Sequence, residues 1–350
     1  MLVVLDAATL GDADVTSLHQ LSQELALPLQ LYATTTHAQR QSRAASARLL
    51  VVNKVRIDAE LLAQLPTLEA IFVLATGVNN IDVAAVAKRG IALYNCQDYA
   101  KAALSQHCFA MLLHLVNNIQ ALDQAVRHGA WSRSPHFSYL DLPISQLSGK
   151  TFTVVGYGGL GQATAALAKA FGMHICIAER PNADHIRPGR TEFHQALAQA
   201  DVLSLHCPSH ASNKHMLNAE RLALLKPSAI VLNSARGDLI DEVALKAALL
   251  ARRIAGAALD VLSVEPPPAD HPLLDPQIPN LLITPHVAWA ADHARAEVVN
   301  QLCANIRHFM TQVRPDLAMP LHSVDTDVAP ATPLQRRTDD ARRPYPRRLC

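Results

Sequence analysis

Residues 150–161 read KTFTVVGYGGLG, a run of apolar and β-branched residues that ends in a glycine-rich turn. Thr151–Val155 has the composition of a buried parallel strand, and the Ala- and Leu-rich residues 162–171 have helical spacing. Three glycines fit G-x-G-x-x-G, in which the first permits a tight turn, the second lets the backbone approach a phosphate and the third lets helix and strand pack closely. The stretch predicts a strand–turn–helix unit that binds a dinucleotide pyrophosphate at the helix N-terminus. The predicted contacts are Gly156, Gly158, Gly159, Leu160 and Gly161.

The end of the next predicted strand bears on which dinucleotide binds. The apolar run His174–Ala178 is followed by Glu179, which lies 18 positions after Gly161. A carboxylate there accepts hydrogen bonds from the adenosine ribose and repels a 2′-phosphate, which favours NAD. The neighbouring Arg180 would instead accept a 2′-phosphate, so NADP remains an alternative cofactor. A third alternative is a solvated ion pair at a strand end.

The composition is that of a globular enzyme. The 350 residues carry a formal net charge of +1, 50% are hydrophobic and 17% are charged, so we expect neither nucleic acid nor a membrane as a partner. Residues 1–5 lack the basic flank of a signal peptide, and no run approaches the ~18 apolar residues of a membrane span. The six cysteines form no C-x-x-C pair, and no hydrolase or kinase motif occurs. We therefore expect a cytoplasmic protein with reduced cysteines and no metal site.

Strand and helix patterns alternate along the chain, which predicts an α/β fold with parallel sheets covered on both faces. The predicted strands are Leu2–Leu5, Leu29–Tyr32, Leu49–Asn53, Ala70–Leu74 and Ile91–Tyr94 in a first group, and Thr151–Val155, Ile175–Ala178, Val202–His206, Ala229–Asn233, Ala257–Val261 and Leu281–Thr284 in a second. One helical segment, Lys101–Arg127, is expected to connect the two groups, and a helix over Asp292–Met310 is expected to return to the first.

This arrangement predicts two doubly wound domains. Residues 1–100 and the return segment 287–313 would form a flavodoxin-like substrate domain, and residues 101–286 a Rossmann dinucleotide-binding domain. Residues 314–350 carry repeated Arg-Arg pairs and prolines with little periodicity. Such a composition predicts a disordered tail.

Three charged residues follow three predicted strands of the second group. Arg236 comes after Ala229–Asn233, Glu265 after Ala257–Val261, and His286 after Leu281–Thr284 and Pro285. In open α/β sheets ligands bind outside the carboxyl ends of the strands, so we expect these side chains to share one crevice. Taken singly, each has an ordinary explanation as a surface ion pair, a solvated loop residue or a non-catalytic histidine. Their order and their shared position favour the functional interpretation.

The three residue types suit the reduction of a 2-keto acid. As hydride reaches the keto carbon from a nicotinamide, negative charge grows on the oxygen. An arginine can bind the substrate carboxylate and polarise the carbonyl. A protonated imidazole can donate the proton that completes the hydroxyl, and a neighbouring carboxylate favours the charged imidazole.

Four ordered motifs resemble those of the D-isomer-specific 2-hydroxyacid dehydrogenase family. They are GYGGLG at 156–161, NSARG at 233–237, ALDVLSVEP at 258–266 and TPH at 284–286, and the resemblance extends from about Leu49 to Phe309. It implies Arg236, Glu265 and His286 as the catalytic set. It also implies Asp260 at the nicotinamide carboxamide, Ser234 and Ala235 along the ring, and His206, Cys207 and Pro208 beneath the adenosine.

Within the family, residues 53–55 and 75–82 are similar to glycerate dehydrogenases, also called hydroxypyruvate reductases. A glycine turn after Ile71–Leu74 would present the amides of Gly77 and Val78 to a substrate carboxylate, with Lys54 adding positive charge. The alternative is an ordinary β-to-α turn.

The resemblance implies reduction of hydroxypyruvate to D-glycerate, and of glyoxylate to glycolate, by a homodimer that meets through Lys101–Ser148. The alternatives are another 2-hydroxy acid, such as D-lactate or phosphoglycerate, or a non-enzymatic NAD-sensing scaffold.

Overall fold

The computed structural model describes residues 1–314 and contains two parallel β-sheets. The first sheet consists of β1 (Leu2–Val4), β2 (Leu29–Leu31), β3 (Leu49–Val52), β4 (Ala70–Val73) and β5 (Ala92–Asn95). The second consists of β6 (Thr151–Val155), β7 (His174–Ala178), β8 (Val202–Leu205), β9 (Ile230–Asn233), β10 (Gly256–Leu259) and β11 (Leu281–Ile283). Each of these strands coincides within a few residues with a predicted one, so the predicted α/β class is confirmed.

The strand orders are those of doubly wound folds. The first sheet runs β2-β1-β3-β4-β5, the order of flavodoxin-like sheets. The second runs β11-β10-β9-β8-β6-β7, and Thr191 extends it through a parallel bridge to Ala178 of the edge strand β7. The winding reverses between β6 and β8, and a crevice for a ligand forms at such a reversal.

Both sheets are covered on their two faces. In β1, Leu2 and Val4 belong to one hydrophobic core and Val3 belongs to another, because side chains alternate along a strand. The second sheet likewise separates two cores, with Val155 on one face and Val154 on the other. This double burial explains why the strands are almost uniformly apolar.

The helices fill the connections between the strands. They are α1 (Asp12–Glu24), α2 (Arg40–Ala44), α3 (Ala59–Ala63), α4 (Val83–Lys88), α5 (Lys101–Asn117), α6 (Ile119–Arg127), α7 (Gly159–Ala170), α8 (Phe193–Gln199), α9 (Ala219–Leu222), α10 (Glu242–Leu250) and α11 (Asp292–His308).

The connecting segment Lys101–Arg127 is two helices rather than one. Asn118 adopts a left-handed backbone with φ of 49°, which ends α5 before α6 begins. Its side-chain amide donates to the carbonyl of Pro143 at 2.6 Å. Asparagine tolerates this conformation better than most residues, so the break has a local cause that helical periodicity does not reveal.

The chain returns to the first sheet through α11, which continues as a π-helical turn over Phe309–Val313. Val298, Leu302 and Ile306 lie in the same core as Leu2 and Val4. The first sheet is therefore packed by both ends of the described chain, while the domain boundaries stay predictions. The predicted tail lies outside the described residues except for Arg314, whose guanidinium contacts Glu69.

None of the helices within residues 1–314 has the length and apolar character that crossing a membrane requires.

Candidate active site

The glycine turn after β6 has the geometry that phosphate binding requires. Gly156 has φ of 91°, and a β-carbon there would lie 2.6 Å from the amide nitrogen of Cys207. A β-carbon on Gly161 would lie 2.1 Å from the carbonyl oxygen of Gly156. Around Gly158, by contrast, nothing lies within 4 Å of the β-carbon position. Neighbouring protein atoms thus leave no room for a side chain at Gly156 or Gly161, whereas Gly158 borders open space.

The same turn begins helix α7. Gly158 is the N-cap residue and supplies no side-chain cap to the helix that starts at Gly159. The leading N–H groups of a helix lack intrahelical acceptors and attract anions. Lys101, paired with Asp98 at 2.7 Å, lies beside the turn, since a β-carbon on Gly159 would meet its Cε at 2.4 Å. The residues present therefore fit a dinucleotide phosphate.

The first two residues after β8 lie against the glycine turn, while their expected place beneath the adenosine stays a prediction. The amide of His206 donates to the carbonyl of Val155 at 2.7 Å, and Cys207 packs against Gly156. Burial lowers the pKa of His206 to about 4 and raises that of the Cys207 thiol to about 11. Both side chains are therefore uncharged near neutral pH. Pro208 follows at the surface.

Glu179 stands at the end of β7, and its carboxylate is already bound by protein donors. It is 1% exposed. Oε1 accepts from the Arg180 amide at 2.8 Å and from the Arg187 guanidinium at 2.5 Å. Oε2 accepts from Nε of Arg187 at 2.7 Å and from its amide at 3.3 Å. The hydrogen bonds from Arg187 hold the pKa of Glu179 far below its usual range despite its burial.

Arg236 is positioned by its own loop. Asn233 ends β9, accepts from the amide of Ala235 at 3.0 Å and donates to the carbonyl of Arg236 at 2.8 Å. The Arg236 guanidinium reaches the first sheet's glycine turn, where Asn79 Oδ1 lies 3.4 Å from its Nε. A β-carbon on Gly77 would lie 1.9 Å from Nη2 of Arg236, so the guanidinium packs directly against the backbone of this turn. The nearby Ser234 hydroxyl is buried against the thiol of Cys108 at 3.1 Å.

The predicted substrate residues Lys54, Gly77 and Val78 are brought to the same place. Among residues 1–314, no protein acceptor takes a hydrogen bond from the amide of Gly77 or Val78. Burial lowers the pKa of Lys54, and the charge of Arg236 lowers it further, while Glu265 and Asp6 act in the opposite sense. The site therefore combines two cations with two unpaired N–H groups, an arrangement that suits a carboxylate.

His286 and Glu265 form a direct pair. Nδ1 of His286 lies 2.6 Å from Oε2 of Glu265, and the other carboxylate oxygen accepts from the amide of Leu262 at 3.0 Å. Burial raises the pKa of Glu265, but the hydrogen bond and charge of His286, aided by Lys54, outweigh burial and hold it below its usual value. The charge of Glu265 also acts on Arg236. Among the three expected catalytic side chains, Glu265 therefore interacts electrostatically with both His286 and Arg236.

Asp260 organises the turn that carries His286. Its Oδ1 accepts from the Thr284 hydroxyl at 2.6 Å and from the amide of Val287 at 2.9 Å, and Oδ2 accepts from the amide of Ala288 at 2.9 Å. His286 itself has φ of 54°, and its amide donates to the carbonyl of Asp260 at 2.8 Å. A contact between Asp260 and a nicotinamide stays a prediction, whereas its bonds to the histidine turn are observed.

Sequence reasoning missed two supports of the site. The carboxylate of Asp6, two residues after the end of β1, accepts from the amides of Asn53, Lys54 and Val55. Asn79 donates to the carbonyl of Ser209 at 3.2 Å while contacting Arg236, so it joins the two sheets' loops. Asp6 follows a strand's carboxyl end, the position that singled out Arg236, and the same rule would have found it.

Comparison with known proteins agrees with this geometry. Residues 109–288 match the family profile described as D-isomer specific 2-hydroxyacid dehydrogenase, NAD binding domain. The chain is 38% identical to the glycerate dehydrogenase of Methylorubrum extorquens over 277 residues, and this alignment covers 79% of this chain and 87% of that protein. It is 33% identical to the hydroxypyruvate reductase of Blautia hydrogenotrophica over 314 residues, and this alignment covers 88% of this chain and 96% of that protein. The solved NADPH-dependent glyoxylate/hydroxypyruvate reductase of Sinorhizobium meliloti, in complex with NADP and malonate, superposes with a TM-score of 0.75 at 26% identity, covering 89% of this chain and 93% of that one.

Proposed function

The chain belongs to the D-isomer specific 2-hydroxyacid dehydrogenases, and from that premise we propose that it reduces hydroxypyruvate to D-glycerate and glyoxylate to glycolate. Membership makes it an oxidoreductase with an NAD(P)-binding domain. The choice of substrate is supported by the names of the relatives above, which act on these acids. The proposal rests on one observation above all. The candidate anion site at Gly77, Val78, Lys54 and Arg236 lies beside the imidazole–carboxylate pair of His286 and Glu265.

The substrate carboxylate binds at the first sheet's glycine turn. The unpaired amides of Gly77 and Val78 donate to it, and the guanidinium of Arg236 adds charge-assisted hydrogen bonds from the other side. The ammonium of Lys54 supplies a further positive charge. Such fixed donors hold the acid in one orientation, with its keto oxygen towards the second sheet's loops.

The keto oxygen receives its proton from His286. When bound, the nicotinamide supplies the hydride for the keto carbon. Negative charge then grows on the oxygen, where Arg236 stabilises it and the imidazole of His286 donates a proton. Glu265, 2.6 Å from Nδ1, fixes the orientation of the ring and stabilises its charged form. In the reverse direction the neutral imidazole accepts the proton of the hydroxy acid.

The protein acts as a homodimer in which α6 and the segment after it contact a second copy. This stretch exposes large apolar side chains, a feature that marks interaction surfaces. They are Ile119 at 57%, Trp131 at 49%, Phe137 at 93%, Leu140 at 79% and Ile144 at 61% exposure. A second copy of the chain is the expected partner at this surface because most soluble oligomers are symmetric homo-oligomers.

The five described cysteines are free, which suits a reducing cytoplasm.

A substrate panel tests the proposed reaction. Purified protein is mixed with NADPH or NADH and with hydroxypyruvate, glyoxylate, pyruvate or 3-phosphohydroxypyruvate, and loss of the reduced cofactor is followed by absorbance. The highest kcat/KM is expected with hydroxypyruvate. A higher value with either of the last two acids would reassign the substrate, and no turnover with any acid would leave a nucleotide-binding scaffold.

A further inference from the structure

The loop after β7 closes on itself beside the glycine turn. Ala178 is paired with Val155 across the sheet, so Glu179 stands next to Gly156. The amide of Glu179 donates to Thr191 at 2.8 Å, and that of Thr191 donates to Ile177 at 2.8 Å. Residues 180–190 therefore form a loop anchored at both ends, at the edge where the adenosine ribose of a dinucleotide would lie.

Three arginines of this loop surround the single carboxylate of Glu179. Arg187 binds both carboxylate oxygens, while Nε of Arg180 lies 3.7 Å and Nε of Arg190 lies 3.9 Å from them. The four groups together carry three positive charges and one negative, a net charge of +2. The side chain of Arg180 is 74% exposed and that of Arg187 is 42% exposed. The group therefore presents positive charge to solvent.

Glu179 has no acceptor left for a ribose. An ionised carboxylate offers about four lone-pair sites, and four N–H donors of Arg180 and Arg187 already bind it. Its 1% exposure also leaves it no free surface. The repulsion that a carboxylate would exert on a 2′-phosphate is neutralised by the same contacts.

We propose that Arg180, Arg187 and Arg190 form a recognition site for the 2′-phosphate of NADP(H), and that Arg187 determines this specificity by engaging Glu179. A phosphate monoester carries about −1.5 to −2 charges at neutral pH, which matches the local charge. Guanidinium groups bind phosphates through paired, charge-assisted hydrogen bonds. The inference rests on the proposed function only in taking NAD(P)H as the reductant, and it extends that function by naming the preferred form.

Calorimetry without any keto acid tests the site. The full-length protein is titrated with NADPH and NADH, and with adenosine 2′,5′-bisphosphate and AMP. The wild-type protein is expected to bind NADPH at least as tightly as NADH. Arg187→Met should lower NADPH affinity roughly tenfold, the size of a lost charge-assisted hydrogen bond, and raise NADH affinity because Glu179 is released. Glu179→Gln should shift the ratio of affinities in the opposite direction, towards NADPH.

Two further variants keep the test decisive if Arg187→Met fails to fold. Arg180→Met changes an exposed side chain and should lower the affinity for NADPH and for the bisphosphate more than that for NADH and AMP. Arg253→Met, an exposed arginine before β10 at the opposite end of the sheet, is the matched control and should change neither. Wild-type protein that binds NADH more tightly than NADPH, or arginine variants that weaken both equally, would overturn the proposal. Neither result depends on which acid is reduced.

Discussion

Gly237 and Leu262 are in direct backbone contact: a β-carbon on Gly237 would lie 1.9 Å from the carbonyl carbon of Leu262. Gly237 follows Arg236, and the amide of Leu262 donates to Glu265 at 3.0 Å. The contact therefore fixes the loop that bears the guanidinium against the loop that bears the carboxylate. The relative placement of two proposed catalytic groups depends on the absence of one side chain.

Gly237→Ala should disturb both loops at once. The added methyl group has no room, because the atoms it meets are backbone, and forced overpacking costs about 1–3 kcal/mol. We expect a lower Tm and a reduced kcat, measured by thermal unfolding and by hydroxypyruvate reduction. A variant with unchanged Tm and kcat would show that the loops separate easily.

His286→Ala should lower kcat by ~10²–10⁴-fold, the usual contribution of general acid catalysis. Cofactor affinity, measured by calorimetry, should change little because the imidazole contacts Glu265 rather than the phosphate turn. His174→Ala is the control, since that residue is exposed at the amino end of β7. Equal kcat in the two variants would remove His286 from the proton transfer.

Gly158→Ala and Gly156→Ala should separate binding from folding. The β-carbon position of Gly158 is empty, so the Tm should hold while a methyl group in the phosphate space weakens NADPH binding. Gly156 has φ of 91° and packs on Cys207, so its alanine variant should lose about 1–3 kcal/mol of stability or more. Calorimetry and thermal unfolding distinguish the two effects. Unchanged NADPH affinity in Gly158→Ala would place the phosphates elsewhere.

His206 should make stability depend on pH. Because burial lowers its pKa from 6.5 to about 4, the unfolded chain binds a proton in this window that the folded chain does not. Stability is therefore greatest above pH 6.5 and falls as the pH drops towards 4, with a slope of up to about 1.4 kcal/mol per pH unit. Denaturant unfolding of the cofactor-free protein between these pH values should show a shallower slope for His206→Gln. Identical slopes would contradict a pKa of His206 that is lowered to about 4 in the folded protein.

The sequence by itself determined the repeating architecture of this protein. Alternating apolar runs and helical spacings located all eleven strands of residues 1–314, because burial on both faces of a parallel sheet demands apolar residues in every strand. The glycine turn could also be predicted, since the glycine spacing is local in sequence and Gly161 packs against Gly156 within one strand–turn–helix unit. The contact of Gly156 with Cys207, by contrast, is made to the loop after β8. Strand ends also indicated Arg236, Glu265 and His286, because parallel strands direct their carboxyl ends to one edge. The spacing of apolar residues did not predict features that depend on a single residue, such as the helix break at Asn118.

Only the tertiary structure decided which side chains bind one another. Asp6 binds the amides that follow β3, and Asn79 reaches Ser209 and Arg236. These partners lie between 47 and 157 positions apart. Arg187 binds Glu179 only because a loop turns back beside β7. Side-chain pairing depends on loop paths and rotamers that no spacing rule encodes. The residue identified from its position as a ribose ligand is therefore, in three dimensions, the centre of an arginine cluster.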